Sequence, residues 1–200
     1  MRVRSIAAWL IGGLLLGGCG AKIMPAGGDM LAGAHASLTD NDTVAARQWL
    51  ASAEPTLNSA RDRREYELLA AEVEIRTGAA DLALPAMDRL LVADPSDPRA
   101  NEVAGKARLV LGEFTDARRH FNAALTGYRH EADLNRAQDL LALTEGLDAY
   151  SRGRFAQAEE SWGGIGDERL RAGVVGVTTG TASYVGPDDG TLARFNQPNR

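Results

Sequence analysis

The chain has 200 residues, 44% of them apolar and 24% charged, with a net charge of −5. That suffices for one modest core. Setting aside Met1 to Gly18 removes Arg2 and Arg4 and leaves 20 basic residues against 27 acidic ones. A general nucleic-acid surface is excluded, because such surfaces carry a basic face.

Arg2 and Arg4 make a basic start, and Ile6 to Leu16 is an apolar run too short to span a bilayer as a mature helix. Leu16-Gly17-Gly18-Cys19 follows. This order resembles the bacterial lipoprotein signal. The resemblance implies cleavage before Cys19 and a fatty acid such as palmitate on its sulfur. Cys19 is the only cysteine, so no disulfide can form within the chain. The other reading is a buried structural cysteine behind an ordinary secretion signal. Gly20 rather than Asp after the cysteine favours the outer membrane, facing the periplasm, under the enterobacterial sorting rule. Residues 1–18 are thus expected to be a signal peptide and residues 19–28 a lipidated tether.

Helices follow. Met30, Leu31, Ala34 and Leu38 share one face of the first. Asp40-Asn41-Asp42 is a turn that caps a second near Thr43 to Ala53, anchored by Trp49 and ended by Pro55. Ser59 to Thr77 is a long charged helix, with Arg61, Arg64, Glu65 and Leu68 on a mostly solvated side. Asp81 opens the next, which places Pro85 in its first turn. Asp94-Pro95-Ser96-Asp97-Pro98 combines a helix stop with a new cap. Arg99 to Leu111 and Thr115 to Tyr128 make the clearest pair. Residues 131–138 lengthen the following helix, which ends near Gly153, and Phe155 to Trp162 is the next. Gly163-Gly164-Ile165-Gly166 breaks the pattern before a short helix over Asp167 to Ala172. From Gly173 on, Val174, Val175, Val177, Thr178, Thr179, Thr181 and Tyr184 favour an extended or disordered tail, residues 173–200.

These helices repeat. Gly78, Ala83, Met87, Leu90 and Leu91 match Gly112, Ala117, Phe121, Ala124 and Leu125 after 34 residues. The small residues Gly33, Ala71, Gly105 and Gly146 sit mid-way in each first helix. Ala45, Ala83, Ala117 and Ala158 sit in each second helix, followed four residues on by Trp49, Met87, Phe121 and Trp162. Small residues let two helices approach, and a large one fills the hole opposite. A 34-residue, two-helix period of this kind resembles the tetratricopeptide repeat family. Four frames fit, at residues 26–59, 64–97, 98–131 and 139–172. The fold class implied is all-α, a right-handed superhelical array of about four helix pairs over residues 29–172. The alternative is an Ala-rich helical bundle with chance spacing.

No catalytic constellation is present in the sequence. Neither a phosphate-binding G-x-x-x-x-G-K loop nor H-E-x-x-H occurs, and Gly164-x-Gly166 lacks the rest of a dinucleotide motif. His120 and His130, near Glu131 and Asp133, read as helix-end histidines rather than metal ligands. No enzyme activity, cofactor, metal or small-molecule substrate is expected. What the repeat resemblance implies is a concave binding face on the first helix of each pair. Carried onto this sequence it comprises Glu65, Leu68, Glu72, Ile75 and Arg76, then Arg99, Glu102, Lys106, Leu109 and Val110, then Leu140, Leu143, Leu147, Tyr150 and Ser151. The middle of that groove is charged and its C-terminal end apolar, where the tail is expected to cover it. Glu145 stands where the family places an apolar residue. Together the two resemblances imply a membrane-anchored protein- or peptide-binding scaffold of the bacterial envelope, for pilus, secretion or outer-membrane assembly, with the tight-adherence pilus favoured. The alternative is an accessory subunit of a polysaccharide-export or envelope enzyme complex.

Overall fold

The computed structural model describes residues 27–179. Cys19, the signal-like segment and residues 180–200 lie outside that range. The described residues are all-α: α1 Gly27–Thr39, α2 Thr43–Ala53, α3 Ala60–Arg76, α4 Ala80–Ala93, α5 Pro98–Val110, α6 Phe114–Gly127, α7 Glu131–Ser151, α8 Phe155–Gly163 and α9 Glu168–Thr179. A short 3-10 turn, Glu54–Thr56, carries Pro55.

Polar punctuation sets these boundaries. Asp42 accepts the Ala45 N–H, Ser59 the Asp62 N–H, and Asp97 the N–H groups of Arg99 and Ala100. Pro98 occupies the first helical position of α5, where no N–H is needed. Each first helix of a pair ends on a left-handed residue: Asn41, Gly78, Gly112 and Gly153 all have positive φ. The second helix begins two residues later in every case.

Packing is pairwise and sequential. α1 lies against α2, α3 against α4, α5 against α6 and α7 against α8, while α1, α3, α5 and α7 also touch in succession. The expected small-against-large contacts hold the pairs together. A Cβ at Gly105 would come 2.6 Å from the Phe121 ring, and one at Gly146 would fall inside the Trp162 indole. Phe121 and Trp162 are both buried. Ala71 and Met87 share the central core cluster. Residues 131–138 do lengthen α7, which has 21 residues.

Several expectations are corrected. The first frame is displaced by one residue. Ala34, Ala46 and Leu50 are buried, whereas Trp49 is 39% exposed and lies over Gly33, 2.8 Å from a Cβ built there. Counting from the left-handed residue explains this: Ala46 is five beyond Asn41, as Ala83, Ala117 and Ala158 are five beyond Gly78, Gly112 and Gly153. α1 also starts at Gly27, inside the expected tether. α4 starts at Ala80, so Pro85 sits in the second turn and cannot donate to the Asp81 carbonyl. Leu68 is fully buried rather than on a solvated side.

The tail expectation fails over residues 173–179, which continue α9. Leu170 and Val174, four apart on one face of that helix, enter the core of the last pair with Ile165. Burial there overrides the local preference of Val and Thr for extended backbone.

Candidate functional site

The first helices of the four pairs line a continuous row of three clefts. An N-terminal cleft of about 640 Å³ lies between α1, α3 and α5. It shares His35 and Arg99 with a central one of about 290 Å³. The central cleft shares Arg76, Lys106 and Arg136 with a C-terminal one of about 780 Å³, bounded by α7 and the start of α9.

The expected groove residues divide sharply. Glu65, Glu72, Arg76, Arg99, Glu102 and Lys106 do line these clefts. Leu68, Ile75, Leu109 and Leu143 are core residues, and Val110 and Leu147 are buried as well, whereas Leu140, though mostly buried, does line the C-terminal cleft. The apolar end of the groove is therefore largely closed, with Leu140 at the edge of the C-terminal cleft. Leu140, Leu143 and Leu147 belong to one cluster with Ile165, Leu170 and Val174, so the turn before α9 and α9 itself cover them. Among the apolar residues expected at this end Tyr150 remains exposed, at 40%, with its ring 5.2 Å from Phe155 and 5.8 Å from Trp162. Ser151 is also exposed, its hydroxyl donating to the Asp148 carbonyl. Glu145 points outward and pairs with Arg118 at 3.5 Å. An acidic side chain at that position thus does not disturb the register, which the Gly146–Trp162 contact fixes.

What fills the face instead is a ladder of ion pairs at the repeat interval. Arg99 donates to Glu65, Lys106 to Glu72 at 2.8 Å, and Arg136 to Glu102 at 2.9 Å, each across 34 residues. Arg64 donates twice to Asp97 at 2.6 Å, across 33. Glu102 is the hub. It is 4% exposed and also receives the Tyr128 hydroxyl at 2.6 Å and the Lys106 ammonium at 3.0 Å. Burial alone would raise its pKa, but Lys106, Arg136 and Tyr128 outweigh this and hold it at about 2. Burial, then Glu102, pushes the Tyr128 phenol upward. Arg136 is raised in turn: burial opposes its charge, and Glu102 more than restores it. Two atoms on this face lack a hydrogen-bond partner, Glu72 Oε2 and Arg76 Nε, which lie 4.0 Å apart. Arg76 reaches across to the Leu38 carbonyl at 2.7 Å and ties α3 to α1.

No family model, no curated protein and no solved structure matches the chain. Among the described residues no group of three or more His, Cys, Asp or Glu side chains is placed to hold a metal ion. His120 sits half-buried with Nδ1 3.0 Å from Asn101 Oδ1, and burial followed by the charges of Arg119 and Arg108 lowers its pKa. No helix among the described residues is long and apolar enough to cross a membrane.

Sequence reasoning missed Arg136, Asn135 and Gln138, because residues 131–138 fell between frames. The signal was there: Glu102 to Arg136 is the same 34-residue step as Glu65 to Arg99. His35 and Leu38 were missed because the groove was carried only onto the second, third and fourth frames.

Proposed function

We propose that the chain is a tetratricopeptide-type lipoprotein of the bacterial envelope that binds another protein along the face of α1, α3, α5 and α7. The observation that carries this reading is the continuity of the three clefts through shared residues, His35 and Arg99 at one junction and Arg76, Lys106 and Arg136 at the other. A row of charged and polar groups along an array of helices suits an extended partner segment, which can be read over several repeats. The Leu16-Gly17-Gly18-Cys19 sequence supports a lipid anchor on Cys19, with the acyl chains holding the scaffold at the membrane. Envelope assembly, including assembly of a tight-adherence pilus, is the setting proposed, at the outer membrane facing the periplasm, and the role is that of a scaffold rather than an enzyme.

The test is site-specific photo-crosslinking in cells. A photoreactive side chain at Gln138, exposed at the C-terminal cleft, is expected to capture one defined protein. The same group at Val92, 85% exposed on α4 and outside the clefts, is expected to capture none. Capture of the same protein from both positions, or only from Val92, would move the binding face elsewhere. The anchor is checked separately. Labelled palmitate should enter the natural chain and not Cys19→Ser, and equal labelling of both would remove the lipid from this reading.

A further inference from the structure

The apolar face of Leu140, Leu143 and Leu147 on α7 is covered by α9, and among the described residues that cover has few parts. Ile165 in the turn, with Leu170 and Val174 on α9, are the side chains that enter the core there. Asp139 of α7 holds the turn, Oδ1 accepting the Gly166 N–H at 2.7 Å and Oδ2 the Asp167 N–H at 3.0 Å. Glu168, Arg169, Arg171 and Ala172 are exposed, so α9 is seated through one side only.

The joint before α9 is built to bend. Gly163, Gly164 and Gly166 fall within four residues. Neither backbone angle nor close packing demands glycine there. Gly78, Gly112 and Gly153 have positive φ, and these three do not. A Cβ at Gly163 would meet nothing within 4 Å, one at Gly164 only the Ser161 carbonyl at 3.3 Å, and one at Gly166 only the Asp139 carboxylate, from 3.5 Å. What the three glycines supply is backbone freedom. α9 also has little helix preference of its own. From Gly173 to Thr179 it reads Gly-Val-Val-Gly-Val-Thr-Thr, residues that all rank low as helix formers. Such a helix is held by what it packs against, and a segment with few apolar anchors is among the first to open. The C-terminal cleft leads to this joint, since Leu140, Gly164, Gly166, Asp167 and Leu170 are in its wall.

We propose that α9 is a displaceable cover hinged at residues 163–166, and that the face of Leu140, Leu143 and Leu147 beneath it is a second docking surface. Its occupant is an amphipathic helix of another protein, with apolar side chains at i and i+4 taking the places of Leu170 and Val174. α9 defines that chemistry, because it is a helix already seated on the face. The proposal goes beyond the scaffold reading, which concerns the open clefts, and the two fail separately. The clefts can bind a partner with α9 fixed in place, and α9 can open with no partner in the clefts.

The experiment uses the full chain carrying Cys19→Ser. Amide hydrogen exchange should show protection of Ala172, Gly173 and Val174 at least tenfold lower than that of Leu143 and Gly146 in α7, which marks an opening of α9 alone. A labelled peptide of residues 167–179 is the probe, and its control carries Leu170→Asp and Val174→Asp. The full chain with Leu170→Ala and Val174→Ala, whose α9 has lost its anchors, is expected to bind the probe at least tenfold more tightly than the chain with Leu170 and Val174 intact. Neither chain is expected to bind the control. Hydrogen exchange is read on the chain with its anchors, so the test does not depend on that variant folding. Equal protection of α9 and α7 makes α9 part of one cooperative core and overturns the proposal. So does probe binding that is equal for the two chains, absent from both, or matched by the control. Exchange of α9 that slows as protein concentration rises also overturns it, by identifying α9 of a second copy as the occupant.

Discussion

Gly146 sets the approach of α7 to α8. A methyl group there would enter the buried Trp162 ring, and a rigid indole has nowhere to go. Gly146→Ala is expected to destabilise by about 1–3 kcal/mol through overpacking. Gly163→Ala supplies the contrast, since a Cβ at that position meets nothing within 4 Å. It should be neutral or stabilise by up to about 1 kcal/mol, because Gly is the weaker helix former. Thermal unfolding of the two variants checks this, and equal effects would deny the Gly146–Trp162 contact. Glu102 makes a second prediction. Its folded pKa of about 2 lies below the ordinary 4.5, so its contribution is present above pH 4.5 and is lost as the pH falls toward 2. Linkage puts that contribution on the order of 3 kcal/mol for this buried carboxylate. Stability should hold from pH 7 to about 5 and then decline. The decline should be shallower in Glu102→Gln, which starts lower at neutral pH because Lys106 and Arg136 lose their shared partner. Parallel acid profiles for the two proteins would show that Glu102 is not the hub.

Between helices, the turn from α4 to α5 shows how one side chain joins two elements. Asp97 caps α5 through two N–H groups and holds Arg64 of α3 with two further bonds. Burial acts to raise its pKa, but Arg64 and the Ala100 and Arg99 N–H groups prevail and hold it below the usual carboxylate range. Asp97→Ala removes a cap worth about 1 kcal/mol and strips Arg64 of its charged partner, for a total loss of about 2–3 kcal/mol. Urea unfolding of Asp97→Ala, Arg64→Ala and the double variant should show the two losses to be less than additive, whereas strict additivity would mean the residues act independently. This turn was legible in advance, because Asp94-Pro95-Ser96-Asp97-Pro98 states both a stop and a start. α2 through α8 were legible for the same reason. α9 was not: its second half reads Gly-Val-Val-Gly-Val-Thr-Thr, and what makes it helical is Leu170 and Val174 meeting the α7–α8 core, a tertiary effect no local window contains. The first frame went astray because Trp49, the conspicuous residue, lies on the surface over Gly33 while the quieter Leu50 fills the core.

Across the whole molecule the 34-residue period does two jobs. It stacks small residues against large ones inside the pairs, and it places opposite charges in register between them, as Glu65 with Arg99 and Glu72 with Lys106. The charged part of the proposed binding face was therefore visible in the sequence. The apolar part was not, since Leu140, Leu143 and Leu147 could equally face a groove or a core, and only the position of α9 decides it. The central claim is that the row of clefts along α1, α3, α5 and α7 is where another protein docks. It is tested most directly by the affinity of the crosslinked partner, once purified, for three full-length variants. Asn135→Trp and Gln138→Trp fill the C-terminal cleft from exposed positions, and Val92→Glu alters α4 outside it. The account predicts at least tenfold weaker binding for each cleft variant, about 1.4 kcal/mol or more, and unchanged binding for Val92→Glu. Undiminished affinity of both cleft variants, or a loss confined to Val92→Glu, would contradict it.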